Sequence, residues 1–563
     1  MRLFRHAGTG ADVSGRRRLK IDLAWWLPMV IAAVYVLFVV ANLGQILGHT
    51  WWSGDSAEAG VIGQLYHRPP AGQYVIIGDH GWFEALLFYV ATRVLPAHRV
   101  LWIAAPVGFW IVTVVLIGVG ATVAFGRWAG GLVIAALLLV APAGLMVIFQ
   151  PTAHTNDVLH AAFLALVSAL VLPRITEIRL RRLAVLAVVV GLFSGLPVHG
   201  DALALAWEVV PFLVVIVLYA WRGPSEALAR TAGFGLVTLL AIEAGAKAMG
   251  ATISALGFRI DAQAQAYALR FTTPAVIGRT LQALLADFTY LVGGQFFGQP
   301  LSGMAVIDLV SAVLLAAAVV AVAFSVRDAV ASAGPRRPVR TEPLAASFIY
   351  TAFWSTAVVV GVSVYLLGTP GAGDSRYLVG PLVGIAALLP VAARRSLGWR
   401  LLVSAGVCVF ALVGVIRMVK LPRMPMLRET IPVTSRTVNE VSEFVARWHA
   451  RIGFAEYRDA MTFTWKSDFR IDLSVIRPCD QPAAHRYCFR YQVAFTQDYI
   501  PRAHVRSLFI GDPVTGVRIP DPGWGKPLAA KHIGRLRVYV YPYDIAARIL
   551  HQTPASIHAI ITG

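Results

Sequence analysis

With 563 residues, 57% of them hydrophobic and only 14% charged, the chain has a mean hydropathy of +0.67. A soluble domain of that length does not keep so little charge on its surface, which excludes a soluble enzyme and indicates a polytopic α-helical membrane protein. The formal net charge of +19 invites a nucleic-acid reading, but the excess sits in short loops between apolar runs. That is the positive-inside pattern, with some attraction to anionic membrane lipid, and nucleic acid is rejected as a partner.

Residues 1–22 form a basic start (Arg16, Arg17, Arg18, Lys20) with no signal-peptide cleavage pattern. About eleven spans are predicted, at roughly 23–47, 100–125, 129–149, 157–173, 183–199, 203–220, 231–250, 303–326, 345–367, 377–393 and 400–417. Basic clusters at Arg127, at Arg174 to Arg182, at Arg222 and Arg230, at Arg327 to Arg340 and at Arg394 to Arg400 fall on alternate sides. They agree on a cytoplasmic N-terminus in a plasma membrane, and an odd number of spans then puts the C-terminus outside. The membrane domain is thus predicted over 23–419, with a first outer loop at 48–99, a long outer loop at 251–302 and a mobile, glycine-rich outer loop at 368–376.

Residues 420–563 are polar and carry strand-like runs such as Arg535 to Tyr541, which predicts an extracytoplasmic mixed α/β domain. Cys408 lies in a span as a small apolar residue. Cys479 and Cys488, nine apart in the outer domain, can pair if that side is oxidising. No internal repeat is visible, which disfavours a secondary transporter.

Chemistry-bearing residues gather in the predicted outer segments. The first outer loop holds Asp55, Glu58, Asp79, His80 and Glu84 among aromatics that include Trp51, Trp52 and Tyr66. Helical spacing over 57–66 and 81–95 predicts two interfacial helices. Asp55 and Glu58, three apart, would share a helix face, and such a carboxylate suits general-base work on a sugar hydroxyl. The alternatives are ordinary solvated acids and aromatic-belt residues.

His154, Asp157 and His160 repeat every three residues at a span entrance, where one face could bind a divalent cation. The favoured alternative is helix capping by Asn156 or Asp157. His199 and Asp201 could line the same cavity or simply form a polar turn. Glu243 and Lys247 have ion-pair spacing, with Lys247 also placed to hold a lipid phosphate. Asp308 and Glu208 remain ambiguous. Arg259, Asp261, Arg270 and Arg279 of the long loop could clamp an anion or lie among headgroups. Gly371 to Pro381 delivers Arg376 and Tyr377 to the mouth of a span, either to capture a phosphate or as a snorkelling pair.

Taken together, the start, the acid after the first span, the long first outer loop and the outer C-terminal domain resemble the GT-C superfamily of integral-membrane glycosyltransferases. Asp374-Ser375-Arg376-Tyr377-Leu378 followed by Pro381 looks like the Arg-Tyr-x(3)-Pro junction of bacterial proteins related to protein mannosyltransferases and lipid A aminoarabinose transferases. Gly453 to Ala460, with Thr462, Thr464 and Trp465 after it, resembles a further outer stretch of such proteins, with Arg458 replacing a tryptophan.

The resemblance implies a polyprenyl-phosphate sugar donor and a glycan, lipid or protein acceptor. It also implies inverting transfer, with Asp55 as base and Arg376 at the donor phosphate. Glu58 and Asp79 would be further acids, Tyr377, Lys247 and Arg270 further phosphate contacts, and Trp52, His80, Glu84, His154, Asp157, His199 and Asp201 the cavity lining. The adjacent Asp-Glu pair and His-Pro-Pro-Leu-type stretch are absent from loop one; Asp55 with Glu58, and Arg68-Pro69-Pro70, stand instead. A lipid or sugar flippase and a non-catalytic GT-C-like scaffold are the rival readings.

Overall fold

The computed structural model describes residues 23–43, 74–77, 98–149, 154–200, 204–222, 225–255, 258–261, 274–294, 300–332, 374–393, 396–420, 435–479, 486–489, 494–495 and 501–549, with a few single positions that include Ala57 and Val61. Among the described residues, seven helices are long and apolar enough to cross a membrane, and three shorter apolar helices accompany them. The chain is a multi-pass helical membrane protein. The predicted span 345–367 lies outside the described residues.

Helix α1 (Leu23–Ala41) is followed by a short strand β1 (Tyr74–Ile77) and by α2 (His98–Phe125). The predicted span 129–149 is two helices, α3 (Arg127–Leu138) and α4 (Pro142–Ile148). Pro142 has no N–H to bond back one turn, so the helix breaks there. Beside this break the Val140 carbonyl accepts from the Tyr35 hydroxyl at 2.5 Å, which satisfies a polar group that lipid could not.

Helices α5 (Thr155–Val171), α6 (Leu180–Val198), α7 (Val210–Arg222) and α8 (Leu228–Ala255) follow. The α6–α8 seam is built on Gly191 and Gly195, one turn apart, which face Gly245. A methyl on Gly195 would stand 2.1 Å from the Ile242 carbonyl, and one on Gly245 would stand 2.4 Å from that of Leu192. Small residues at that spacing let two backbones touch, the packing that holds helices together where the solvent is itself apolar.

The long loop contains structure that hydropathy did not foretell: strand β2 (Phe258–Asp261) and helix α9 (Pro274–Leu291). Helices α10 (Gly303–Ser332), α11 (Val379–Ala393) and α12 (Leu397–Lys420) complete the described bundle. In the span Arg376–Ala393, 89% of residues are buried, against 17% in Gly303–Ala321. The first is therefore enclosed by the rest of the bundle and the second lies at its periphery.

The C-terminal domain runs through α13 (Ser435–Ala446), β3 (Ile452–Ala455), α14 (Tyr457–Lys466), β4 (Asp472–Pro478), β5 (Tyr487–Phe489), β6 (Ala494–Phe495), β7 (Ser507–Gly511), β8 (Ala529–Ile533) and β9 (Leu536–Tyr541). Six strands form one sheet in the order β5-β4-β3-β7-β9-β8, parallel at its centre and antiparallel at both margins. Alternation along β7 and β9 sends Leu508, Ile510, Val538 and Val540 to one core and Phe509 and Tyr541 to an aromatic core opposite. The first core also takes in Ala57 and Val61 of the first loop and Met249 and Ile253 of α8, so the domain is seated on the bundle. Cys479 and Cys488 form a disulfide beside the β4–β5 pairing. A separate sheet, β2-β1-β6, joins the first loop, the long loop and the domain.

Candidate functional site

Short connections make neighbouring helices antiparallel, so the C-terminal ends of α6 and α8 and the N-terminal ends of α5 and α7 share one end of the bundle. Leu196, Met249 and Ile253 contact the C-terminal domain's core there. The buried ionic side chains of the bundle gather at this same end.

His154 precedes α5 with φ 54°, a left-handed conformation that a β-carbon makes unfavourable. The turn points its ring inward. Its Nδ1 lies 3.1 Å from Oδ2 of Asp157, and both side chains are buried. Asp157 also sits in the first turn of α5, where the helix dipole favours negative charge.

The His154 ring packs 5.0 Å from that of Tyr377 and meets Trp207 edge-on at 5.9 Å. Arg376, only 8% exposed, donates from Nη2 to the Tyr377 hydroxyl at 3.2 Å and lies 5.1 Å from the centre of that ring. Both belong to a tight 3-10 turn, Asp374–Leu378, that enters the enclosed helix α11. Trp207 approaches because Gly380 has no side chain: a β-carbon there would stand 3.2 Å from the indole. Trp207 and Glu208 lie in a π-type turn, Leu205–Val209. Pro211 cannot donate back to Trp207, and a widened turn is the usual accommodation, one found often at functional sites.

The structure thus brings His154, Asp157, Arg376 and Tyr377 together, and adds Trp207, which hydropathy reads as ordinary span residue. His160 does not join them: its Nδ1 faces the Asn156 carbonyl at 2.8 Å and its ring packs on Phe193 at 4.6 Å. Among the described residues, no group of three or more His, Cys, Asp or Glu is arranged to hold a metal. His199 packs under Gly250. Lys247 pairs with Glu243 at 3.2 Å on an exposed face, with both side chains outside the buried group. Asp55, Glu58, Asp79, His80, Glu84, Trp52, Asp201 and Arg270 lie outside the described residues.

Two further charged groups have partners that the sequence did not indicate. Arg417, 1% exposed near the end of α12, donates to Asp308 of α10 at 2.6 Å and to the Val292 carbonyl at 3.0 Å. Gly293, with φ +66°, makes room: a β-carbon would fall 1.6 Å from the guanidinium. In the C-terminal domain, Glu456 caps α14 by accepting from the Arg458 amide at 2.8 Å. Asp459, 3% exposed behind it, has its carboxyl pushed up to about 8, first by burial and then by Asp512 and Glu456. Arg535 answers Asp512 at 2.8 Å.

The helical bundle and its appended sheet domain have the fold of a known membrane protein. They overlay the crystal structure of ArnT from Cupriavidus metallidurans bound to undecaprenyl phosphate over 90% of this chain and 97% of that one, with TM-score 0.53 and 13% identity. The apo oligosaccharyltransferase of Archaeoglobus fulgidus overlays 87% of this chain and 70% of its own, with TM-score 0.48 and 11% identity. No protein-family model and no curated protein matches the sequence.

Proposed function

We propose that the chain is a membrane glycosyltransferase. It moves a sugar from a polyprenyl-phosphate donor to a glycan, lipid or protein acceptor at the outer face of the plasma membrane. The observation that carries this reading is the buried Arg376–Tyr377–His154–Asp157 group at the domain end of a GT-C-type bundle. The undecaprenyl phosphate bound to ArnT supports a lipid phosphate as the donor's handle.

In this reading Arg376 faces the donor phosphate, where a permanently charged planar fork can contact two oxygens. Asp55 takes the proton of the acceptor hydroxyl as that oxygen attacks the anomeric carbon with inversion. The lipid phosphate leaves as an anion, so charge stabilisation by Arg376 matters more than a strong acid. The His154–Asp157 pair and Trp207 shape the wall of the cavity. Glu58 and Asp79 are proposed as further catalytic acids, and the first-loop aromatics as stacking contacts for sugar faces.

The test uses full-length protein in nanodiscs with a panel of radiolabelled polyprenyl-phosphate sugars. Transfer by the wild type, lost in Asp55→Asn and in Arg376→Ala while folding is retained, supports the transferase. Lipid binding without transfer from any donor favours the flippase or scaffold reading instead.

A further inference from the structure

A concave surface lies on the C-terminal domain, and none of its lining residues belongs to the Arg376 group. A cleft of about 650 Å³ is lined by Asn439, Ser442, Glu443, His449, Arg451 and Arg470, with Val445, Ala446 and Ala450 as its apolar part. That volume is of the size that small ligands occupy. The residues Asn439, Ser442, Glu443 and Ala446 recur at three- and four-residue steps, so they form one face of α13.

The opposite wall comes from two turns held by hydrogen bonds. In the first, His449 takes φ 54° where a helix usually ends on glycine, and the Ala450 amide closes back on Val445 at 3.1 Å. Arg506 donates to the Trp448 carbonyl at 3.0 Å and pins that turn. In the second, Asp468 and Phe469 both take left-handed φ values, 53° and 56°. Ser467 brackets this turn through the Ile471 amide and carbonyl, at 3.1 and 3.2 Å. Arg470 donates from Nε to the Ser467 carbonyl at 3.0 Å, which orients its guanidinium. Three non-glycine residues in a disfavoured conformation beside one cleft are backbone strain placed at its rim.

We propose that this cleft binds a saccharide bearing an anionic group. Two guanidiniums against one carboxylate give the cleft its preference for negative charge, and the guanidinium fork matches a carboxylate or phosphate. A bare anion would gain nothing from Glu443. Glu443 and Asn439 instead supply acceptors and donors for sugar hydroxyls, and the exposed Ala446 offers an apolar contact for the face of a ring. The binding site stands by itself; a role for it in holding the acceptor rests on the transferase reading.

Binding is measured on the full-length protein in phosphatidylcholine nanodiscs by titration with tri-galacturonate, and with neutral maltotriose as the control. The acidic sugar is expected to bind at least about ten-fold more tightly, and Arg451→Ala/Arg470→Ala to remove that preference. Glu443→Gln is expected to weaken both sugars. All three side chains are exposed, and unchanged thermal unfolding shows that the variants fold. Discs containing phosphatidylinositol separate the sources: competition by these discs identifies a lipid headgroup, and its absence a glycan outside the bilayer. Equal affinity for the two trisaccharides, an unaffected double variant, or no binding of either tri-galacturonate or phosphatidylinositol would overturn the proposal. Because no transfer is read, its failure leaves the transferase reading intact, and the converse also holds.

Discussion

Two buried arginines stand at the same end of the bundle and are treated differently. Arg417 is locked by a 2.6 Å contact to Asp308, by the Val292 carbonyl and by a glycine that exists to admit it. Arg376 is met by the hydroxyl and ring of Tyr377, its own neighbour, in a turn that opens the enclosed helix α11. A guanidinium closed off by a carboxylate ties helices together. Under the proposed function, Arg376 is the one that meets an anion that comes and goes. Burial alone does not distinguish the two, since both are nearly inaccessible; the proposal that Arg376 works and Arg417 holds is what the variants below test.

Breaking the scaffold pair gives the largest effect. Arg417→Ala leaves Asp308 buried without that partner and is expected to cost about 3–5 kcal/mol, seen as loss of folded protein on extraction. Gly293→Ala, which forces a β-carbon onto the guanidinium in a left-handed backbone, is expected to act in the same direction. Arg376→Ala is expected to leave folding nearly intact and to lower transfer about 10²-fold or more, as loss of a transition-state donor does. Arg376→Lys, which keeps charge but not the fork, is expected to recover little. If Arg376→Ala unfolds the protein as Arg417→Ala does, the distinction between the two arginines fails.

Asp459 sharpens the comparison from the other domain. Its carboxyl keeps a proton in the folded chain up to about pH 8, whereas an exposed aspartate loses it near pH 4. The folded state therefore binds the extra proton between those values. Stability is full below about pH 4, declines as pH rises and has lost this contribution above about pH 8. Asp459→Asn cannot ionise, so its melting temperature is expected to stay flatter from pH 5 to 9 and to exceed the wild type's by several degrees at the alkaline end. The smallest effect is expected at Lys247: its pair with Glu243 is exposed, and Lys247→Ala should change stability by less than about 0.5 kcal/mol and leave transfer unchanged. A large loss of transfer would put Lys247 back at the donor phosphate.

Hydropathy carried the helical membrane character of the chain, because lipid demands long apolar helices. The break at Pro142 and the strands β1 and β2 were not legible. Both depend on partners distant in sequence: Tyr35 for the Val140 carbonyl, and the loops' pairing with each other and with β6. At the candidate site, Arg376, Tyr377, His154 and Asp157 were visible as polar residues at span entrances. Trp207 was not, since nothing in an apolar run marks which aromatic faces a glycine on another helix. Arg417 was missed because an arginine near a span's end ordinarily snorkels to water. The spacing of His154, Asp157 and His160 suggested one face, yet the turn at His154 and the carbonyl of Asn156 direct the two rings apart.

The small sheet β2-β1-β6 bears on how the molecule is made. Its strands come from the beginning, middle and end of the chain, and parallel strands such as β1 and β2 need a long crossover, which here is the transmembrane bundle itself. During synthesis, β1 must therefore wait for most of the helices to insert before β2 arrives, and the pair then keeps a raw edge until β6 emerges last. A ribosome-bound chain cut before residue 494 would present that edge to any strand nearby, so β6 serves as the latch that closes this small sheet.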